Sequence, residues 1–309
     1  MSQKTPDKAF PPDNRPIGVF DSGIGGLTVV RALRSALPNE DICYLGDTAR
    51  VPYGSKSVDS IIRFAGEDAA FLAGKGVKAL IVACNTASAV AMEPLRKRFP
   101  ALPAMGVIEA GIEAVMRTGA QRITVIGTRA TVSSDAYRRG LHARKPSLLI
   151  ESIPCPLLVP LAEEGQFEGK LAEEAFDLYL SPLRKSPPEV LLLGCTHYPL
   201  FREALNRYFG GSVRIIDSAE ACAEAARAFL DGNSIAASLA KTGNVRYYFT
   251  DLPSDFNGGL WRFLGSAPSY MEKAQLECTP PVQSTRGIGD FACGDQLIQL
   301  DRSRTEGPA

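Results

Sequence analysis

Short, largely apolar runs alternate with stretches of helical periodicity along most of this chain. Residues 17–20, 42–45, 79–83, 123–126, 148–150, 190–193 and 213–216 each have the length and composition of a buried strand. Between them, helices are expected from Thr28, as cap, to about Leu37, over 58–73, from about Thr86, and over 168–180 and 220–230. Pro94 is expected to kink or break the helix that carries it. A strand that is apolar on both faces must be covered on both faces. The pattern therefore predicts an α/β fold of mostly parallel sheets flanked by helices. In such sheets ligands bind beyond the carboxyl ends of the strands, so the residue just after each strand is where chemistry is expected.

At 309 residues, and about 150 residues per domain, two domains are expected. Basic and acidic residues balance at 34 each, which removes the electrostatic footprint of a nucleic-acid binder or a membrane-surface protein. Seven cysteines stand at 43, 84, 155, 195, 222, 278 and 293 with no CxxC pair and no zinc-like spacing. Reduced thiols in a cytoplasmic protein are the simplest reading. The polar, proline-rich start has no apolar core of a signal peptide, and no run approaches the roughly 18 apolar residues of a membrane span. Residues 1–15 read as a disordered arm and 267–309 as an extended or disordered tail.

Two strand ends resemble each other. Val82-Ala83-Cys84-Asn85-Thr86 and Leu193-Gly194-Cys195-Thr196-His197 both run from an apolar strand through a small residue to a cysteine and a polar pair. A cysteine there meets the positive end of the following helix, which lowers a thiol's pKa. A single free cysteine is ordinarily a buried, inert one; two in matched positions favour opposed thiols across one cleft. His197 is one of only two histidines and could orient a thiol or act on its proton. His142, in a basic helical stretch, reads as a solvated face residue.

Further polar groups gather at strand ends. Asp21 and Ser22 open a glycine-rich turn, where a helix cap is the plainer reading. That turn lacks the third glycine of a dinucleotide loop and the lysine of a P-loop. Asn85, Thr86, Thr128, Thr131 and Thr196 offer amide and hydroxyl donors suited to the carboxylates of a small acid. Tyr53-Gly54 sits in a turn that could place the tyrosine at the rim of a site.

These residues together carry a family likeness. Asp21-Ser22-Gly23, Val51-Pro52-Tyr53-Gly54, Cys84-Asn85-Thr86 and Gly194-Cys195-Thr196-His197 resemble the cofactor-independent aspartate/glutamate racemases, on the glutamate side of the family, from about Ile17 to Leu264. The resemblance implies two α/β domains, 16–107 with 221–266 and 108–220, with the active site between them. It implies interconversion of L- and D-glutamate for peptidoglycan synthesis, with no pyridoxal phosphate, no metal and no other cofactor. Cys84 and Cys195 would be the two bases, supported by Asp21 and His197. Substrate contacts would fall on Asp21, Ser22, Tyr53, Gly54, Asn85, Thr86, Thr128, Thr131, Thr196, His197 and Glu163. A homodimer and a peptidoglycan-precursor activator occur in the family, and the sequence chooses neither for this chain. A racemase of aspartate or another small acidic amino acid is the alternative. A phosphate-binding regulator built on the Gly23–Gly26 turn is a third reading, weakened by that incomplete loop.

Overall fold

The computed structural model describes residues 11–252, 256–265, 268 and 270–276. Its first half runs β1 (Ile17–Asp21), α1 (Leu27–Ala36), β2 (Ile42–Gly46), α2 (Val58–Gly74), β3 (Ala79–Val82), α3 (Asn85–Arg98), β4 (Ala104–Gly106) and α4 (Val107–Arg117). Next come β5 (Arg122–Gly127), α5 (Arg129–Ser133), α6 (Ala136–Arg144), β6 (Leu149–Pro154), α7 (Leu158–Glu163) and α8 (Lys170–Leu180). The chain continues with β7 (Val190–Gly194), α9 (Arg202–Tyr208), β8 (Arg214–Asp217), α10 (Ser218–Gly232), β9 (Val245–Phe249), α11 (Phe256–Leu264) and β10 (Met271–Lys273).

The strands form two sheets, ordered β10-β9-β2-β1-β3-β4 and β6-β5-β7-β8. Every pairing is parallel. Each residue of β1, β2, β3 and β7 is buried, as covering both faces of a parallel sheet requires. Helix α10 packs against both α1 and α4, joining the helical layers of the two sheets. Among the described residues no helix is long and apolar enough to cross a membrane.

Several expectations change. Helix α1 begins at Leu27 after Gly26, and Thr28 does not cap it. The Thr28 hydroxyl instead shares its proton between the carbonyls of Gly25 and Thr196, each 2.9 Å away. Pro94 lies inside α3 without ending it. Ala91 and Leu95 on either side are buried, and that packing outweighs the lost hydrogen bond. The end of the arm is not disordered: Asp13 N donates to Ala236 O at 3.1 Å, and the buried Lys78 Nζ donates to Asp13 O at 2.6 Å. Residues 1–10 lie outside the described residues. Within the stretch expected to be extended or disordered, Met271–Lys273 is extended as β10, an edge strand on β9, with Ala274 N donating to Phe249 O at 2.7 Å. Residues 277–309 lie outside the described residues.

Candidate active site

A cavity lies where the carboxyl ends of both sheets meet. Ser22, the turn 51–54, Asn85 and Thr86 line it from the first sheet; Thr128, Val159, Cys195, Thr196 and His197 line it from the second. Its volume is about 20 Å³. Asp21, Cys84, Thr131 and Glu163 stand one contact behind this wall, touching Thr196, Ser22, Thr86 and His197 respectively.

Cys84 follows β3 by two residues and caps α3, its sulfur accepting from Ala87 N at 3.5 Å. Its thiol donates to Ser22 Oγ at 3.7 Å. Burial, then the charge of Asp21, pushes the thiol up to about 12. The helix end was expected to lower it; here desolvation outweighs that effect. Asp21 ends β1 fully buried. Its carboxylate accepts from Gly23 N at 3.1 Å and Thr196 Oγ1 at 3.3 Å. Burial raises it above the usual carboxylate range, opposed by the charge of His197.

Cys195 is the first residue after β7. Its Sγ lies 3.9 Å from His197 Nδ1, and His197 Nε2 lies 2.9 Å from Glu163 Oε1 at the end of α7. Burial pulls the imidazole down, but the hydrogen bonds and charges of Cys195 and Glu163 outweigh it and raise it to about 10. An imidazolium suits this place, because both ring nitrogens then donate. Phe263 of α11 meets the ring edge-on at 5.3 Å. The Tyr198 hydroxyl lies 2.7 Å from Cys155 O and 3.1 Å from Gly127 O, pinning the turn that carries Cys195 to His197.

Thr86, Thr128 and Thr131 form a ring of hydroxyls at 2.9, 3.2 and 3.0 Å. Thr128 also caps α5. The Asn85 amide donates to Tyr137 Oη at 2.8 Å and accepts from Ser218 Oγ at 3.2 Å, so it ties α3 to α6 and α10. Gly54 lines the wall because a side chain there would collide with Thr128: an added Cβ would stand 2.7 Å from its Cβ.

Two placements differ from expectation. Tyr53 is not at the rim; its ring is fully buried and its hydroxyl meets Asp47 and Asp68. His142 is half-buried, with Nε2 3.1 Å from Leu148 O. Sequence reasoning missed Asp47, Arg50 and Asp68. Asp47 is the first residue after β2, beside Asp21 at the end of β1. Asp68 falls on the stripe Ile61, Ala65, Asp68, Leu72 of α2, whose helical spacing marks a buried face.

Comparison with known proteins places the chain in one family. The family model for Asp/Glu/Hydantoin racemase matches residues 22–226. The chain is 42% identical to the glutamate racemase of Geobacter metallireducens, covering 84% of this chain and 97% of the relative. It is 46% identical to that of Aquifex aeolicus over 76% of this chain and 88% of the relative. Among solved structures it resembles Francisella tularensis glutamate racemase in complex with D-glutamate, with a TM-score of 0.80, 40% identity, and 85% and 98% of the two chains covered. It also resembles Escherichia coli glutamate racemase in complex with L-glutamate and the activator UDP-MurNAc-ala, with a TM-score of 0.70, 26% identity, and 85% and 99% covered.

Proposed function

Since the chain belongs to the Asp/Glu/Hydantoin racemase family, we propose that it interconverts L- and D-glutamate by passing the α-proton between two thiols, Cys84 and Cys195. The observation that carries this reading is the pair of strand-end cysteines, one behind the wall and one in the wall of a single cavity. Inversion needs a base on one face and an acid on the other, because a single group returns the proton to the face it left. One sulfur, as thiolate, takes the α-proton and becomes a thiol. The opposite thiol gives its proton to the other face and becomes a thiolate. The two sulfurs thus exchange protonation states in each turnover.

Each thiol has its own support. The upward push on Cys84 suits it to hold a proton and deliver it. His197, charged between Cys195 and Glu163, can exchange a proton with the second sulfur. The hydroxyls of Ser22, Thr86, Thr128, Thr131 and Thr196, with the Asn85 amide, are donors for the substrate carboxylates. Fixed donors of this kind also stabilise charge delocalised from the α-carbon. On this reading 16–107 with 221–266, and 108–220, are the two domains, and the product supplies peptidoglycan synthesis in the cytoplasm. A homodimer and a peptidoglycan-precursor activator are the partners to test, by light scattering and by adding the precursor to the assay.

Incubation with L-glutamate in deuterium oxide, without added cofactor, tests the reading. Loss of optical activity with deuterium at the α-carbon is expected. If neither changes, the assignment fails; faster turnover of aspartate than of glutamate would reassign the substrate.

A further inference from the structure

One buried polar cluster touches the cavity wall from outside and takes no part in the proton transfers above. Asp47 is the first residue after β2, and Glu67 and Asp68 are neighbours in α2; none is more than 5% exposed. Arg50 reaches all three. Its Nε lies 2.6 Å from Asp47 Oδ2, its Nη2 3.2 Å from Asp68 Oδ1, and its Nη1 pairs with Glu67 Oε2. The Tyr53 hydroxyl sits between the aspartates, in a short contact with Asp47 Oδ2 and 2.9 Å from Asp68 Oδ2.

Counting protons decides how this cluster is charged. A phenol has one proton and can donate to only one carboxylate at a time. If both aspartates were ionised, the second contact would set lone pair against lone pair in a dry site. Both contacts become hydrogen bonds when one carboxyl is protonated, donates to Tyr53, and leaves Tyr53 to donate to the other. Asp47 is the better anion, since Arg50 Nε and Thr250 Oγ1, at 2.9 Å, also donate to it. Asp68 is then the acid. Charge counting agrees: three carboxylates against one guanidinium leave an excess that protonation of Asp68 reduces. Burial, then the charge of Asp47, also pushes the Asp68 carboxyl well above the usual range.

The cluster holds a segment that matters. Tyr53 belongs to the turn 51–54, and all four of its residues line the cavity. The turn has little slack: an added Cβ at Gly54 would be 2.7 Å from Thr128 Cβ, and one at Gly23 would be 3.2 Å from Val51 Cγ2.

We propose that Asp68, as a neutral acid acting through Tyr53, positions the 51–54 turn as one wall of the glutamate site. Asp68 is thus a positioning residue for substrate binding, and this role rests on the racemase reading above.

Two measurements test it. Difference infrared spectra of the full chain at neutral pH, wild type minus Asp68→Asn, should contain the carbonyl stretch of a protonated carboxyl; a carboxylate band in its place overturns the proposal. In the racemisation assay, Tyr53→Phe and Asp68→Ala should raise KM for glutamate about tenfold, the cost of one lost hydrogen bond to a charged network, with kcat little changed. Asp68→Asn, which can donate to Tyr53 while accepting from Arg50, should restore KM. A fall in kcat at unchanged KM marks a merely structural role and overturns the proposal. So does an Asn variant as impaired as Ala. If Asp68→Ala does not fold, Tyr53→Phe carries the same KM test. If the wild type does not racemise glutamate, the functional reading fails, while the infrared band still reports on Asp68.

Discussion

Gly25 lies so close to the ring of His197 that a methyl group on it would stand 2.5 Å from both Cε1 and Nδ1. The same methyl would be 2.5 Å from Thr196 Oγ1. The imidazole cannot simply retreat, because Glu163 holds its far nitrogen at 2.9 Å. The glycine of the first strand's turn therefore sets where the histidine of the second sheet can stand.

Gly25→Ala should accordingly damage catalysis more than folding. Overpacking of about 1–3 kcal/mol falls on the Cys195–His197 contact, so kcat/KM is expected to drop about tenfold or more. Circular dichroism of glutamate over time measures it. An Ala variant with unchanged kcat/KM would show that this approach places no constraint on the site.

Removal of one thiol should separate exchange from inversion. Cys84→Ala and Cys195→Ala are each expected to abolish racemisation. The remaining sulfur can still wash deuterium into the one enantiomer whose α-proton it faces. Proton NMR in deuterium oxide reads the exchange and polarimetry the inversion; wild-type turnover in either variant would sink the two-thiol assignment.

The charge on His197 carries a pH signature. Its folded value, about 10, lies above the ordinary 6.5, so the unfolded chain releases this proton first as pH rises. The resulting stability is fully present below about 6.5 and is lost as pH rises through about 10. Glu163→Gln weakens this hold, so its deficit in Tm should be largest in mildly acidic buffer and shrink towards about pH 10. A deficit that widened with pH would reverse the assigned sign.

Far from the cavity, Lys78 and Glu40 form a buried ion pair at 2.6 Å, with side chains 0% and 5% exposed. Glu40 Oε1 also accepts from Ala237 N at 2.7 Å. Lys78→Met strands the carboxylate, which should cost about 3–5 kcal/mol in denaturant unfolding. The double variant Lys78→Met/Glu40→Gln should recover part of that loss, since glutamine keeps the acceptor for Ala237. KM for glutamate should not move in either variant, and a loss below 1 kcal/mol in the single variant would contradict the pairing.

Strands that are apolar throughout were legible because burial on both faces leaves no other composition. β1, β3 and β7 fall within a residue or so of where their apolar runs predict them. β9 was not among the expected strands, and β10 escaped notice because Met271–Lys273 becomes a strand only through its pairing with β9. At the site, strand-end position pointed to Cys84, Cys195, Asp21 and His197. It could not give the protonation of Cys84, which depends on Asp21 and on burial, both set by tertiary packing. Nor could it show that Tyr53 turns inward, since that follows from Asp47 after β2 and from Asp68, fifteen residues away in α2.

The cavity of about 20 Å³ is on the scale of one water molecule, far too small for glutamate. Hydrogen bonds from Thr196 to Asp21, between Thr86 and Thr128, and from Asn85 to Tyr137 stitch its two sides together. Admission of substrate therefore requires the seam to part, and apparent affinity is the intrinsic affinity scaled by the fraction of molecules already parted. A change that only loosened the seam would make the protein seem to bind glutamate more tightly without adding a single contact to it.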